Sequence, residues 1–183
     1  MIEKNPPRTD EQLMCAYQAG EAAAFDALYQ RHKSGLFRYC NRQLDGQSAI
    51  ASELYQEMWM RVIQSRERYQ ATAQFTTWLY HIAHNILIDH WRSVRPHDSI
   101  ADHEESLQSD IPEPEVMIDR QVSAAQLKQA LGNLPREQLN TFLLKEEGCF
   151  SLGQIASITG STRETVKSRL RYAMDKLRSA LTS

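Results

Sequence analysis

Apolar residues recur at three- and four-residue spacing along most of the chain, and no stretch keeps the period-two alternation of a half-buried strand. Thr9 or Asp10 can cap a first helix that carries Leu13, Ala16 and Tyr17. Beyond Gly20 a second helix presents Phe25, Leu28, Tyr29, Leu36, Phe37 and Cys40. Asp45-Gly46-Gln47-Ser48 predicts a turn, because Asp-Gly favours left-handed backbone. A third helix is expected over about 49–65, with Ile50, Leu54, Met58 and Val62 inward. A polar loop over 66–74 separates it from a fourth helix over about 75–92, whose core face is Phe75, Leu79, Ile82 and Ile86.

The stretch 93–115 differs in kind, with Arg95-Pro96, Ile111-Pro112-Glu113-Pro114, many acids and few large apolar residues. Proline removes a donor and disfavours helix before itself, so this segment reads as an extended, solvated tether. Helices resume after Val116, through Leu127, Leu131 and Leu134. The expected fold is all-α: a helical domain over 1–93, a flexible acidic linker over 94–119 and a second helical domain over 120–183.

The C-terminal third carries the sharpest pattern. Pro135 suits the first turn of a helix with Leu139, Phe142 and Leu143 on its apolar face, and Gly148 suits its C-terminal cap. Ser151-Leu152-Gly153-Gln154 is a capping box that opens a short helix through Ile155, Ala156 and Ile158. Gly160 supplies a left-handed turn residue, and Ser161-Thr162-Arg163-Glu164 reads as a second capping box. The helix that follows turns Val166, Leu170, Ala173 and Leu177 inward. Two capped helices joined by a short glycine turn make a helix-turn-helix. The second begins with Thr162, Arg163 and Thr165 and is basic outside, which suits the major groove of DNA. Arg163 and Lys167 are the expected base readers, and Arg169 and Arg171 the phosphate contacts. An ordinary helical hairpin with a solvated basic face is the competing reading.

Net charge sharpens this picture once it is resolved along the chain. The total is −2, yet Asp98, Asp102, Glu104, Glu105, Asp110, Glu113, Glu115 and Asp119 stand together without a Lys or Arg among them. Arg163, Lys167, Arg169, Arg171, Lys176 and Arg178 face only Glu164 and Asp175. Charges act on DNA within about 8–10 Å, so the local patch decides and the sum does not. The length of 183 residues fits one ordinary domain or two small ones, and 42% hydrophobic residues is enough to build cores. No apolar run reaches the roughly 20 residues that span a bilayer. The N-terminus lacks the basic start and apolar stretch of a secretory signal. Cys15, Cys40 and Cys149 lie far apart without CxxC pairing, so reduced, buried thiols and a cytoplasmic location are expected.

The N-terminal half offers candidates of its own. Thr77, His81, His84 and Asn85 share a polar side of the fourth helix, and Arg66, Arg68, Tyr69 and Gln74 mix cations, an aromatic and an amide in the preceding loop. Such a mixture suits unstacked single-stranded bases, although Trp78 and Tyr80 can equally be core aromatics. His81 and His84 lie one helical turn apart, with Asp89 and His90 beyond. No HExxH pattern accompanies them and no cysteine is near, which leaves a zinc site little support. No glycine-rich phosphate loop is present. No cofactor, metal or enzymatic activity is expected. Glu53, Gln56, Glu57 and Met60 form an exposed rim of the third helix, which a solvated face explains as well as a partner surface does.

Several segments together resemble the extracytoplasmic-function (ECF) group of bacterial RNA polymerase sigma factors. Ala51-Ser52-Glu53-Leu54-Tyr55-Gln56-Glu57-Met58-Trp59 is similar to the family's region-two helix often written DLVQEVF. The stretch from Phe75 through Trp78, His81 and Asn85, with Asp89 and Arg92, is similar to its FRTWLYRIARN helix. Leu134-Pro135, Ser151 to Ala156 and Thr165-Val166-Lys167-Ser168-Arg169-Leu170 resemble the region-four helix-turn-helix. The resemblance implies that Glu53, Gln56, Glu57 and Met60 dock on core RNA polymerase. It implies that Arg66, Arg68, Tyr69, Gln74, Thr76, Thr77, His81, His84 and Asn85 serve the minus-ten element, where a flipped base is captured. Thr162, Arg163, Thr165, Lys167, Ser168, Arg169 and Arg171 would serve the minus-thirty-five element. The implied partners are core polymerase, promoter DNA and an anti-sigma factor, which would hold the chain at the inner membrane where that factor is membrane-anchored. The chain itself is not expected to insert into a membrane. Tyr172 and Met174 stand where the family often carries arginine. A stand-alone helix-turn-helix regulator is the alternative, and it would need a ligand pocket or phosphoacceptor. An adaptor or anti-sigma-like regulator that uses the same helices only to hold proteins is the third reading, and it would leave the basic face of Arg163, Lys167 and Arg171 without a purpose.

Overall fold

The computed structural model describes residues 7–94 and 123–182, so the acidic linker expected over 94–119 lies, beyond Val94, outside the described residues. Among these residues the chain forms eight α-helices and one 3₁₀ turn, with no strand. Helices α1 (Asp10–Gln18), α2 (Ala22–Gln43), α3 (Ser48–Gln64) and α4 (Phe75–Val94) pack on one another, with the 3₁₀ turn Arg66–Arg68 between α3 and α4. Helices α5 (Ala124–Gly132), α6 (Arg136–Glu146), α7 (Leu152–Thr159) and α8 (Arg163–Thr182) make a second group.

Local chemistry explains most boundaries. Thr9 caps α1, accepting from the Gln12 N–H while the Gln12 side chain returns to the Thr9 N–H. Ser123 with Gln126 and Ser151 with Gln154 repeat that reciprocal box at the starts of α5 and α7. Asp45 and Gly46 both take positive φ (51° and 76°), as the Asp-Gly turn requires. Gly160 closes α7 in the left-handed region at φ 64°.

Three local expectations shift. The cap of α8 falls one residue late: Thr162 Oγ1 accepts from the Thr165 N–H at 3.1 Å, while the Ser161 hydroxyl pairs with Thr159 Oγ1 at 2.7 Å. At the end of α6 the left-handed residue is Cys149 (φ 53°), not Gly148. Gly148 is needed for close approach instead, since a Cβ there would lie 2.5 Å from the Phe150 ring and 2.8 Å from the Leu144 carbonyl. Finally, Cys15 and Cys149 are exposed and only Cys40 is buried. Burial pushes the Cys40 thiol up to about 12, which makes it an inert core group.

The two helix groups are packed against each other through α4 on α7 and α2 on α6. Their buried apolar side chains form one hydrophobic cluster. Tyr80 stacks edge-on against Phe150 with centroids 5.0 Å apart, Arg136 sits 5.0 Å over the Trp91 ring, and Arg42 pairs with Glu147. At the centre lies Asn140, only 2% exposed. Its Oδ1 accepts from the Tyr39 hydroxyl at 2.7 Å and from Gln43 Nε2 at 2.8 Å. With Oδ1 so committed, Nδ2 donates to Nδ1 of His84 at 3.1 Å. That bond requires an unprotonated Nδ1, hence a neutral imidazole.

Two predictions follow from this packing. Gly148→Ala should cost about 1–3 kcal/mol by overpacking Phe150, lowering Tm by several degrees. Gly153→Ala, whose Cβ would meet nothing within 4 Å, should leave Tm unchanged or raise it. The second concerns pH. Burial, then the nearby His81 and Arg169, hold His84 down to about 4 from 6.5. A base with a depressed pKa favours the packed state above its free pKa and opposes it below. The packing should therefore be intact above pH 6.5 and weaken as pH falls toward about 4, by at most about 3 kcal/mol. Small-angle scattering across this range should show expansion, and His84→Gln should flatten that dependence. An unchanged profile in the variant would assign the acid response to other groups.

Candidate nucleic-acid and polymerase interface

The candidate residues fall on three surfaces. On α3, Glu53, Gln56, Glu57 and Met60 are all exposed and follow the three- and four-residue spacing of one helical stripe. Met60 is 52% exposed, unusual for a large apolar side chain. The opposite side of α3 is fixed by Ala51, Met58, Trp59 and Val62. Trp59 was not among the expected inward residues. Its ring meets Phe25, Tyr29 and Tyr55 in an aromatic cluster against α2.

The second surface is the 66–74 loop with α4. Arg68 is exposed, Arg66 lies with its guanidinium 5.5 Å over the Tyr17 ring, and Gln74 is exposed at the loop's end. Tyr69, expected as a base-stacking group, is buried under the loop against Phe75 and Trp78, at centroid distances of 6.2 and 5.0 Å. Burial pushes its phenol up to about 12, and the hydroxyl has no hydrogen-bond partner among the described residues. Thr76 is half-buried, and Thr77 and His84 are buried. His81 and Asn85 are exposed on the next turns. His81 donates from Nδ1 to the Ile158 carbonyl at 3.1 Å and accepts at Nε2 from Asn85 at 3.0 Å. Gln154, the residue that closes the α7 capping box, also donates to Gln74 at 2.6 Å and reaches Thr77 Oγ1 at 3.4 Å. The polar side of α4 is therefore gathered as the sequence suggested, but α7 lies on it. Sequence periodicity carries no signal of that cover, because it arises from contacts about eighty residues apart in the chain.

The third surface is the start of α8. Thr162, Arg163, Lys167 and Ser168 are exposed, and Thr165 is half-buried with its hydroxyl on Thr162. Val166, Ala173 and Leu177 face inward. Arg169 is partly covered and pairs with Glu137 of α6 at 3.1 Å. Arg171 lies against Tyr172, 5.1 Å from the ring centre. The free cationic edge is accordingly narrower than the row of basic residues in the sequence, and it centres on Arg163 and Lys167. Among the described residues no group of His, Cys, Asp and Glu is arranged to hold a metal ion.

Comparison with known proteins identifies the family. Residues 28–96 match the Sigma-70 region 2 family and residues 124–177 the Sigma-70 region 4 family. The ECF RNA polymerase sigma factor SigL of Mycobacterium tuberculosis is 35% identical over 167 residues, covering 89% of this chain and 92% of that protein. Two solved structures share the fold. CnrH in complex with the cytosolic domain of CnrY has a TM-score of 0.69 at 19% identity, covering 94% of this chain and 97% of the other. The sigma factor RpoE of Bartonella quintana, solved with the anti-sigma factor NepR, has a TM-score of 0.68 at 18% identity, covering 86% and 96%. With an all-helical fold, a region-two match on the first helix group, a region-four match on the second and a near full-length relative, this chain belongs to the ECF RNA polymerase sigma factors.

Proposed function

We propose that this sigma factor docks on core RNA polymerase through the outer rim of α3, captures an unstacked base of the minus-ten element with the 66–74 loop and the start of α4, and reads the minus-thirty-five element with the first half of α8. The observation that carries the reading is the orientation of α8. Its apolar stripe is buried while Arg163, Lys167 and Ser168 point outward directly after a capped turn, which is how a recognition helix enters the major groove. Arg163 and Lys167 reach base edges in this arrangement. Arg169 and Arg171, held by Glu137 and Tyr172, support the phosphate side. On α3, a ridge of two carboxylates, an amide and an exposed methionine suits a helical partner with basic and apolar positions.

The role is non-catalytic. Strand opening draws on contacts made only with the opened strand, since binding shifts an equilibrium by differential affinity alone. Two modest DNA contacts gain strength when core polymerase holds them together. Because α7 covers the polar side of α4, engagement of the minus-ten element requires α7 to leave it. An anti-sigma partner, as seen with the Bartonella relative, would act by keeping these surfaces occupied. No helix among the described residues is long and apolar enough to cross a membrane. The site of action in this reading is the cytoplasm, where core polymerase and promoter DNA are, with a place at the inner membrane where the anti-sigma partner is membrane-anchored.

The test is transcription in vitro from a promoter library with sigma-free core polymerase. Specific transcripts are expected, and truncating Arg163 and Lys167 to alanine should reduce them at least tenfold, about 1.4 kcal/mol or more for lost base contacts. Glu53→Ala with Glu57→Ala should weaken binding to core without altering promoter preference. Absence of both core binding and transcripts would sink the reading.

A further inference from the structure

We propose that α1 is the brace of the base-capturing loop, and that Glu11 and Gln18 are the residues that position it. The inference rests on the reading of the 66–74 loop as the minus-ten element's contact. It assigns a role in that contact to residues outside the sequence segments that suggested it.

The loop has little of its own to hold it. Beyond the single 3₁₀ turn its only internal backbone bond past Tyr69 is Thr72 N–H to the Gln70 carbonyl at 2.8 Å, and Gln70 through Gln74 are exposed. A segment of that kind samples many conformations, and holding a flipped base would require ordering it at each encounter. Both ends, however, are tied to α1. At the far end Glu11 Oε1 accepts from the Phe75 N–H at 2.8 Å. Phe75 is the first residue of α4, and its N–H is one of those that a helix start leaves without an internal partner. Glu11 thus caps α4 from another helix, adding a negative charge where the helix dipole favours it. The same backbone bond holds the Glu11 carboxyl below its usual range. At the near end Gln18 Nε2 donates to the Glu67 carbonyl at 3.1 Å and the Tyr69 carbonyl at 3.3 Å. Between them Tyr17 receives the Arg66 guanidinium on its ring. Glu11 and Gln18 stand two helical turns apart, on one face of α1.

The brace is itself anchored. Asp10 accepts from Arg31 at 2.8 Å and lies 2.7 Å from His32 Nε2, and Arg31 also donates to the Arg8 carbonyl, so α1 is fixed to α2. The chain therefore holds its loop between two fixed points on a third element, with Gln70 to Ala73 exposed between them and Gln74 held by Gln154 of α7 until that helix leaves. Placing a flexible recognition segment on a rigid support is what gives a site its discrimination.

The experiment uses the full chain assembled with core polymerase, with Glu11→Ala, Glu11→Gln and Gln18→Ala, on promoters that differ by single minus-ten bases, both duplex and pre-melted. Glu11→Ala and Gln18→Ala should lower the preference among minus-ten bases at least fivefold on pre-melted templates. Affinity for core and for the minus-thirty-five duplex should stay within twofold. Glu11→Gln, whose amide oxygen can still accept from the Phe75 N–H, should restore most of the preference. If activity falls only in step with thermal stability while base preference is unchanged, α1 serves the fold alone and the proposal is overturned. If the unmodified protein shows no minus-ten base preference at all, the reading of the loop fails first and takes the brace with it.

Discussion

The arrangement of the molecule depends on a single buried amide. Asn140 sits where α2, α4 and α6 meet, and its three bonds to Tyr39, Gln43 and His84 join the two helix groups. Each such bond adds only about 1 kcal/mol net, but leaving any of these groups unsatisfied in the interior would cost about 1–3 kcal/mol. The network therefore specifies one mutual arrangement more than it stabilises packing in general. An apolar contact such as Tyr80 on Phe150 tolerates sliding, whereas an amide that must accept twice and donate to a neutral imidazole does not.

That constraint reaches the function through α4. The helix has an apolar side that builds the first helix group and a polar side that the sigma-factor reading turns toward DNA. In the packed chain the polar side is shared with α7, through Gln154 on Gln74 and Thr77 and through the Ile158 carbonyl on His81. Groups suited to hydrogen-bond a base edge are equally suited to hydrogen-bond a helix, so in the proposed reading one surface would serve two occupants in turn. The outward edge of α8 and the rim of α3 have no such cover among the described residues, and they remain available for first contact. Polymerase binding through α3 and separation of α7 from α4 are in this view successive steps.

Bracing and capping extend the same economy of polar groups. Gln154 closes its own helix and reaches across to the other half. Glu11 caps a helix that begins sixty-four residues later in the chain. Glu137 and Tyr172 take up two of the arginines on α8 and leave Arg163 and Lys167 as the free pair. In each case the number of charged or polar residues overstates the available surface, because the fold has already used some of them.

What the sequence determined by itself is what local forces control. Helical periodicity, the Thr9, Ser123 and Ser151 capping boxes, the Asp45-Gly46 turn and the left-handed Gly160 set the elements within a residue or two, since each acts over four residues or fewer. The motif order along the chain was legible for the same reason, and with it the family. Only the tertiary structure decided which polar residues are free. Tyr69 and His84 share their helical or loop pattern with exposed neighbours, and nothing within a few residues distinguishes them. Their burial is set by Phe75 and Trp78 in one case and by Asn140 in the other. Glu11 and Gln18 were silent in the sequence because a polar residue on a short amphipathic helix is ordinary, and their partners are backbone atoms 49 to 64 residues away. Backbone groups carry no sequence signature, so a contact made to them at long range becomes visible only when the chain has folded.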